Sequence, residues 1–317
     1  MGPHSHSELA TARRCLREYH FRYELRREPI IVAEALTIGK RVDRALKTND
    51  LAELLPKERA LVMAHEVRWR TQPITIEQSD VGFSVVLNGV EMVGELDAIG
   101  VIDGERVGVE YKTTSEDIST GSTYWKRITR IDPQASIYLA HLETIGVRKL
   151  VYDVLRKSAL REKKGETPEQ LFDRTIEDIS SRPDWYFARQ PVVRLAEERE
   201  EFARDIASTA RLIASGERPR NPDACIRFGR ECEFLGVCTK EMDIHDERYF
   251  RNREPSRKLG LAAAANADRT QSREDGVAVA PTDQGGDPRE EDRRLRPAEG
   301  RKDEPRGVSA GFGDYRF

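Results

Sequence analysis

Two turn dipeptides, Asn88-Gly89 and Asp103-Gly104, interrupt a run of apolar and β-branched residues and constrain this chain more than any other feature. Asn-Gly and Asp-Gly favour the tight positive-φ turns that reverse a strand within two residues. They predict three strands, about 82–87, 91–102 and 106–113, joined as an antiparallel meander. A helix with apolar Ala35, Ile38, Val42 and Leu46 at helical spacing precedes them. After them, Asp132-Pro133-Gln134 opens another helical pattern, and residues 149–156 read as a strand that re-enters the sheet beside the third through a helical crossover. Helices over about 168–180 and 196–215 are expected to pack outside. The fold class is therefore α/β, in the order α-β-β-β-α-β, with a mixed central sheet flanked by helices.

Acids end two of those strands, at Gly94-Glu95-Leu96-Asp97 and at Val109-Glu110-Tyr111-Lys112. Their apolar, β-branched surroundings predict that Asp97 and Glu110 project from sheet positions instead of a solvated loop. Two carboxylates on neighbouring strands suit a hard divalent cation such as Mg²⁺, which takes oxygen ligands and leaves positions for water and phosphate. Lys112 lies two residues from Glu110, on the same strand face.

The series Asp97, twelve residues, Glu110-Tyr111-Lys112 resembles the signature of the PD-(D/E)XK nuclease superfamily. Gln134-x3-Tyr138, two residues on one helix face, is similar to the helix motif of its RecB-type branch.

The cysteines give a second signal. There are four, and Cys225, Cys232 and Cys238 fall in one short stretch while Cys15 stands near the start. Disulfides are one reading, but a chain of 317 residues without a secretory signal is expected in a reducing cytoplasm and needs no staples. Zinc is another, although structural zinc sites pair cysteines at shorter spacing than any pair here. A thiolate-bound [4Fe-4S] cluster tolerates the longer spacings and is favoured over zinc and over unligated buried cysteines.

One early cysteine, a nuclease core and three late cysteines resemble the iron-sulfur RecB-type exonucleases, among them CRISPR-associated nucleases, the nuclease domain of AddB-type helicase-nucleases, and phage or prophage relatives. The resemblance spans about residues 5–245. It implies a restriction-endonuclease-like core with a structural cluster joining its N- and C-terminal parts. It also implies Mg²⁺ or Mn²⁺ held by Asp97, Glu110 and the Tyr111 carbonyl, Lys112 orienting the attacking water, Gln134 steadying the lysine region, and Tyr138 lining the channel. Relatives usually carry a helical Gly-x3-His before the sheet, whereas here Gly39-Lys40-Arg41-Val42-Asp43 puts Asp43 in that place. Asp43 is thus either a third carboxylate ligand or a solvated helix charge.

Residues 1–250 are expected to form the nuclease domain and 251–317 a disordered charged tail, whose composition turns charged and small from about Glu254. Its end, Gly311 to Phe317, is considered as a docking segment. A net charge of −3 neither supports nor excludes nucleic acid, because local surface decides. Arg13, Arg14, Arg17, Arg22, Arg26 and Arg27 surround the first cysteine, and Lys126, Arg127 and Arg130 lie beside Tyr124 and Trp125, which could stack on a base. Lys157, after the 149–156 strand, reads as a DNA contact or as surface charge. The expected substrate is DNA, as single strands or strand ends, with no membrane. No phosphate-binding Gly-x4-Gly-Lys-Ser/Thr loop occurs, so unwinding would fall to a helicase or recombination partner. The competing reading is a catalytically silent iron-sulfur DNA-binding module. A cysteine redox protein fares worse, for want of a Cys-x2-Cys pair.

Overall fold

In the computed structural model, which describes residues 2–30, 34–227 and 229–254, both turn dipeptides adopt left-handed backbone, with φ of 47° and 78° at Asn88 and Gly89 and 51° and 80° at Asp103 and Gly104. The principal elements are α1 (His6–Arg14), α2 (Glu34–Thr48), α3 (Pro56–Arg68), β1 (Thr75–Leu87), β2 (Val90–Ile102), β3 (Glu105–Thr114), α4 (Pro133–Thr144), β4 (Leu150–Arg156), α5 (Pro168–Ser181), β5 (Phe187–Val192) and α6 (Ala196–Ala214). The chain divides into residues 1–275 and 276–317, and all described residues lie in the first unit.

β1, β2 and β3 form the antiparallel meander, and β4 joins β3 in parallel after the α4 crossover. β5, not anticipated from the sequence, closes the far edge antiparallel to β4. Pro191 hides it, because proline is tolerated only where a strand's outer edge needs no ladder hydrogen bond. The helix α3 was also missed, although Pro56 at its first position and Glu58, which accepts from the Leu55 amide at 3.1 Å, are ordinary start signals.

Helices cover both faces. Leu96, Leu150, Tyr152 and Val154 pack with Ala135 and Leu142 of α4 and Ile206 and Ala210 of α6; across the sheet Leu155 and Phe187 pack with Val42, Ala60, Leu61 and Ile179. Side chains 34–36 lie outside the described set, so the expected role of Ala35 does too.

One feature of the sheet positions the cleft. On the edge of β2 away from β1, β3 pairs only with Ala98–Ile102, while a two-residue strand, His4–Ser5, pairs in parallel with Met92 and Val93. Among the described residues this leaves 94–97 without a strand on that edge. The strands fork there.

The early and late parts of the described region meet elsewhere. Arg27–Pro29 pairs antiparallel with Phe250–Asn252, so ordered structure passes the expected boundary at 250; residues 255–317, including the proposed docking segment, lie outside the described residues. Arg27 is buried and binds the Ile244 and Phe250 carbonyls, and Phe21, Phe234, Ile244 and Phe250 form a separate apolar cluster flanked by Cys232 and Cys238.

Candidate active site

A fork in a sheet strands backbone groups that a neighbouring strand would have satisfied, and such groups need partners when buried. Side chains supply them here. Asp97 Oδ2 accepts from the Tyr111 amide at 2.8 Å, and the Tyr138 hydroxyl donates to the Glu95 carbonyl at 2.9 Å. Asp97 is thereby fixed at the mouth of the fork. Glu110, buried on β3, accepts from Lys112 Nζ at 2.5 Å and from Gln134 Nε2 at 3.1 Å, while Gln134 Oε1 accepts from Lys112 at 3.1 Å. Asp132 caps α4 by accepting from the Gln134 amide at 2.8 Å, with Pro133 at the first helical position. That cap sets where Gln134 points.

Tyr138 does not line a channel. It is 4% exposed, and its hydroxyl also meets Gln134 Nε2 at 2.6 Å, so it acts as a strut between the fork and Gln134. Tyr124 and Trp125 are likewise buried, at 4% and 2%, and the Trp125 indole donates to the Ile118 carbonyl. Neither offers a face to a base. Arg127 pairs with Glu116, and of the early arginines Arg14 pairs with Glu18, Arg22 with Glu233, and Arg17 holds the Arg218 carbonyl. Arg17 and Arg22 thus serve the join between the early segment and residues 218–233.

The cleft itself has a volume of about 340 Å³ and is lined by Gly39, Asp43, Asp97, Glu110, Tyr111 and Lys112, with Lys40, Val42, Leu46 and Thr113. Gly39 allows α2 to approach β3 closely: a Cβ there would stand 3.2 Å from Thr113 Oγ1. One turn later Asp43 enters the cleft. Its Oδ1 is buried without a hydrogen-bond partner among the described residues, and burial, reinforced by the Asp97 charge and resisted by Lys47, pushes its pKa up to about 6. A carboxylate oxygen left without a donor beside a second carboxylate suits a hard cation, and the oxygen donors here fit Mg²⁺ or Mn²⁺.

These residues match a known group. Residues 3–239 fit the PD-(D/E)XK nuclease superfamily. The chain belongs to that superfamily. No curated protein matches it. Among solved structures it is similar to SSO0001, at 15% identity and TM-score 0.35 over 71% of this chain and 82% of that one. It is also similar to a protein from Eubacterium rectale named as a candidate exonuclease, at 13% identity and TM-score 0.45 over 82% and 93%.

In this nuclease, two charged residues that sequence reasoning missed stand behind the cleft's carboxylates. Lys47 Nζ sits 3.0 Å from Asp43 Oδ2, 3.0 Å from Asp80 Oδ1 and 2.8 Å from Asp97 Oδ1. Burial lowers its pKa, but the surrounding carboxylates outweigh burial and the net shift is upward. Lys112 shows the same balance, with Glu110 outweighing burial. The signal for Lys47 was its place one helical turn after Asp43. Asp80, a non-glycine residue at φ 51° within β1, is found only in the folded chain.

All four cysteines are free thiols and half-buried. Burial pushes the Cys232 thiol up to about 11, with Cys238 and Cys15 adding to the shift, and Cys238 in turn rises through burial, Cys15 and Cys225. Cys15 thus contributes to the shifts of Cys232 and Cys238, far from it in sequence. Among the described residues no three His, Cys, Asp or Glu side chains are already gathered to hold an ion, at these thiols or in the cleft. No helix is long and apolar enough to cross a membrane.

Proposed function

We propose that this nuclease hydrolyses DNA phosphodiester bonds with Mg²⁺ or Mn²⁺, as an exonuclease on single strands or strand ends in phage recombination, repair or CRISPR-related processing. The observation that carries the reading is Asp97, Glu110 and Lys112 lining one cleft together with the partnerless Asp43 oxygen. Asp97, Glu110, the Tyr111 carbonyl and Asp43 would hold the ion, which when bound supplies Lewis acidity toward a phosphate oxygen.

The chain's own residues do the rest. Lys112, held between Glu110 and Gln134, keeps its proton, orients a water and meets charge that grows on phosphate oxygens in the transition state. Gln134 fixes that lysine, and Tyr138 fixes Gln134. Lys47 neutralises three carboxylates that would otherwise repel. Cys15, Cys225, Cys232 and Cys238 are assigned a structural [4Fe-4S] cluster, in preference to zinc, in a reducing cytoplasm where thiols persist. A partner helicase or recombination protein would deliver unwound strands.

Incubation with end-labelled single-stranded and duplex DNA, with Mg²⁺, Mn²⁺ or chelator, tests the reading. Cleavage that needs added metal supports it. Binding without cleavage in either metal would instead fit a silent DNA-binding module.

A further inference from the structure

Near the end of β3, Thr113 lines the acidic cleft, and Ser115, just past the strand, lines a second cavity of about 320 Å³. The two residues are about 7 Å apart at about 3.3 Å per residue, so the cavities adjoin. β4 ends at the same place: Arg156 lies opposite Thr114, and the Lys157 amide donates to the Thr114 carbonyl at 2.7 Å. Arg156, Lys157, Ser158 and Arg182 line this cavity with Trp185 and Tyr186.

Trp185 is a large aromatic residue that is 46% exposed, unlike the buried Trp125. The Arg156 guanidinium lies 3.9 Å from its ring centre and that of Arg182 lies 5.5 Å away. Not all of this charge is available. Arg182 is spent on both oxygens of Asp178. Arg156 is only loosely opposed, with Asp117 at 3.9 Å, and its Nη1 is buried without a hydrogen-bond partner among the described residues. A buried guanidinium nitrogen lacking an acceptor calls for an anionic oxygen. Burial also lowers the Lys157 pKa, with Glu58 opposing, as for an amine withdrawn from water. An exposed indole beside such donors is the combination that takes a base on one side and a phosphate on the other.

We propose that this cavity is a subsite for a single nucleic-acid strand passing out of the cleft, with a base stacked on Trp185 and a backbone phosphate at Arg156 and Lys157. The proposal rests on the nuclease reading and extends it to how the strand is held.

Its test separates strand binding from chemistry. Bis(4-nitrophenyl) phosphate engages only the cleft, whereas a labelled oligothymidylate spans both sites. Trp185→Ala and Arg156→Gln should raise KM for the oligonucleotide about tenfold, with hydrolysis of the small diester unchanged, and Trp185→Phe should restore much of the loss. Thermal unfolding of each variant controls for folding. In chelator, oligothymidylate should quench the tryptophan fluorescence of the unaltered protein, and Trp185→Phe should abolish most of that quench. Unchanged oligonucleotide KM in both variants, with cleavage intact, overturns the subsite and leaves the nuclease reading standing. Equal losses on blunt duplex and single strand overturn the single-strand assignment. If the unaltered protein cleaves neither substrate the nuclease reading falls, and the fluorescence titration decides the subsite alone.

Discussion

At the cleft's edge three carboxylates, Asp43, Asp80 and Asp97, share one lysine, whereas at the join of the early and late segments the acids face arginines of their own: Glu18 with Arg14, Glu24 with Arg218, Glu28 with Arg251. The first arrangement crowds like charge and leaves an oxygen without a donor; the second pairs opposite charges around a small apolar cluster. Like charges held together cost stability and are retained where a cation or a reaction needs them. Paired charges and a phenylalanine cluster need no such reason. The join is therefore held by paired charges and apolar packing, and a cluster there would add to an interface that already exists.

The largest effect expected on this contrast is in the cleft. Asp97→Ala should reduce metal-dependent cleavage of end-labelled DNA by at least about a hundredfold, and Lys112→Ala by a similar factor. Full activity in a folded Asp97→Ala protein would sink the assignment.

At the join, Cys15→Ala and Cys232→Ala should each lower Tm by about 5 °C or more and remove iron and sulfide together. Equal effects from residues so far apart in sequence are the signature of a shared group. Stoichiometric zinc without sulfide would replace the cluster with a zinc site, and a metal-free protein of unchanged Tm would end the metal assignment for these thiols.

Lys47 should behave oppositely to the acids around it. Lys47→Met removes a cation from among three carboxylates, so a Mn²⁺ titration should show about tenfold tighter binding. Weaker binding would mean that the lysine organises the ligands and does not compete with the ion.

Asp43 gives a pH test. Its pKa of about 6 lies above the usual carboxylate range, so it takes up a proton as pH falls through about 6 and would then no longer hold an ion. At subsaturating metal, cleavage should fall about tenfold per unit below that point. Higher metal should push the limb to lower pH, Asp43→Asn should flatten it, and Asp43→His should recover activity with a preference for Mn²⁺. An unchanged metal titration in Asp43→Ala would remove it from the ligand set.

The smallest effect belongs to Glu24, which the Arg218 hydrogen bond holds at about 2. A depressed carboxylate contributes stability above its unfolded value, near 4.5, and loses it as pH falls toward 2. Glu24→Gln should lower Tm at neutral pH by only about 1–2 °C, the pair being partly exposed, and should weaken the acid dependence between about pH 5 and 2.

The residues legible in the sequence are those whose relations are local. Asp97 and Glu110 were found because tight turns fix a meander, and Gln134 because Asp132 and Pro133 mark a helix start. Lys47 and Asp80 were not, since their meeting depends on how α2 packs across the sheet, and a lysine four residues after an aspartate on a helix resembles a solvated pair. The aromatic residues show the same limit. Trp125 beside basic residues invites a stacking role, but the Ile118 carbonyl satisfies its indole in the core, and the exposed Trp185 follows an unremarked Arg182-Pro183. Burial is a property of the packed chain, and spacing does not report it.

The fork has a further consequence for measurement. An amide in the middle of a sheet ordinarily exchanges its hydrogen with solvent only when strands separate, but the Tyr111 amide is guarded by the Asp97 side chain. Its exchange rate therefore tracks the position of one carboxylate. Adding a divalent ion should change the protection of that single amide while leaving Val109 and Gly108, which sit in the paired ladder, unaltered. A backbone hydrogen becomes the gauge of what the cleft holds.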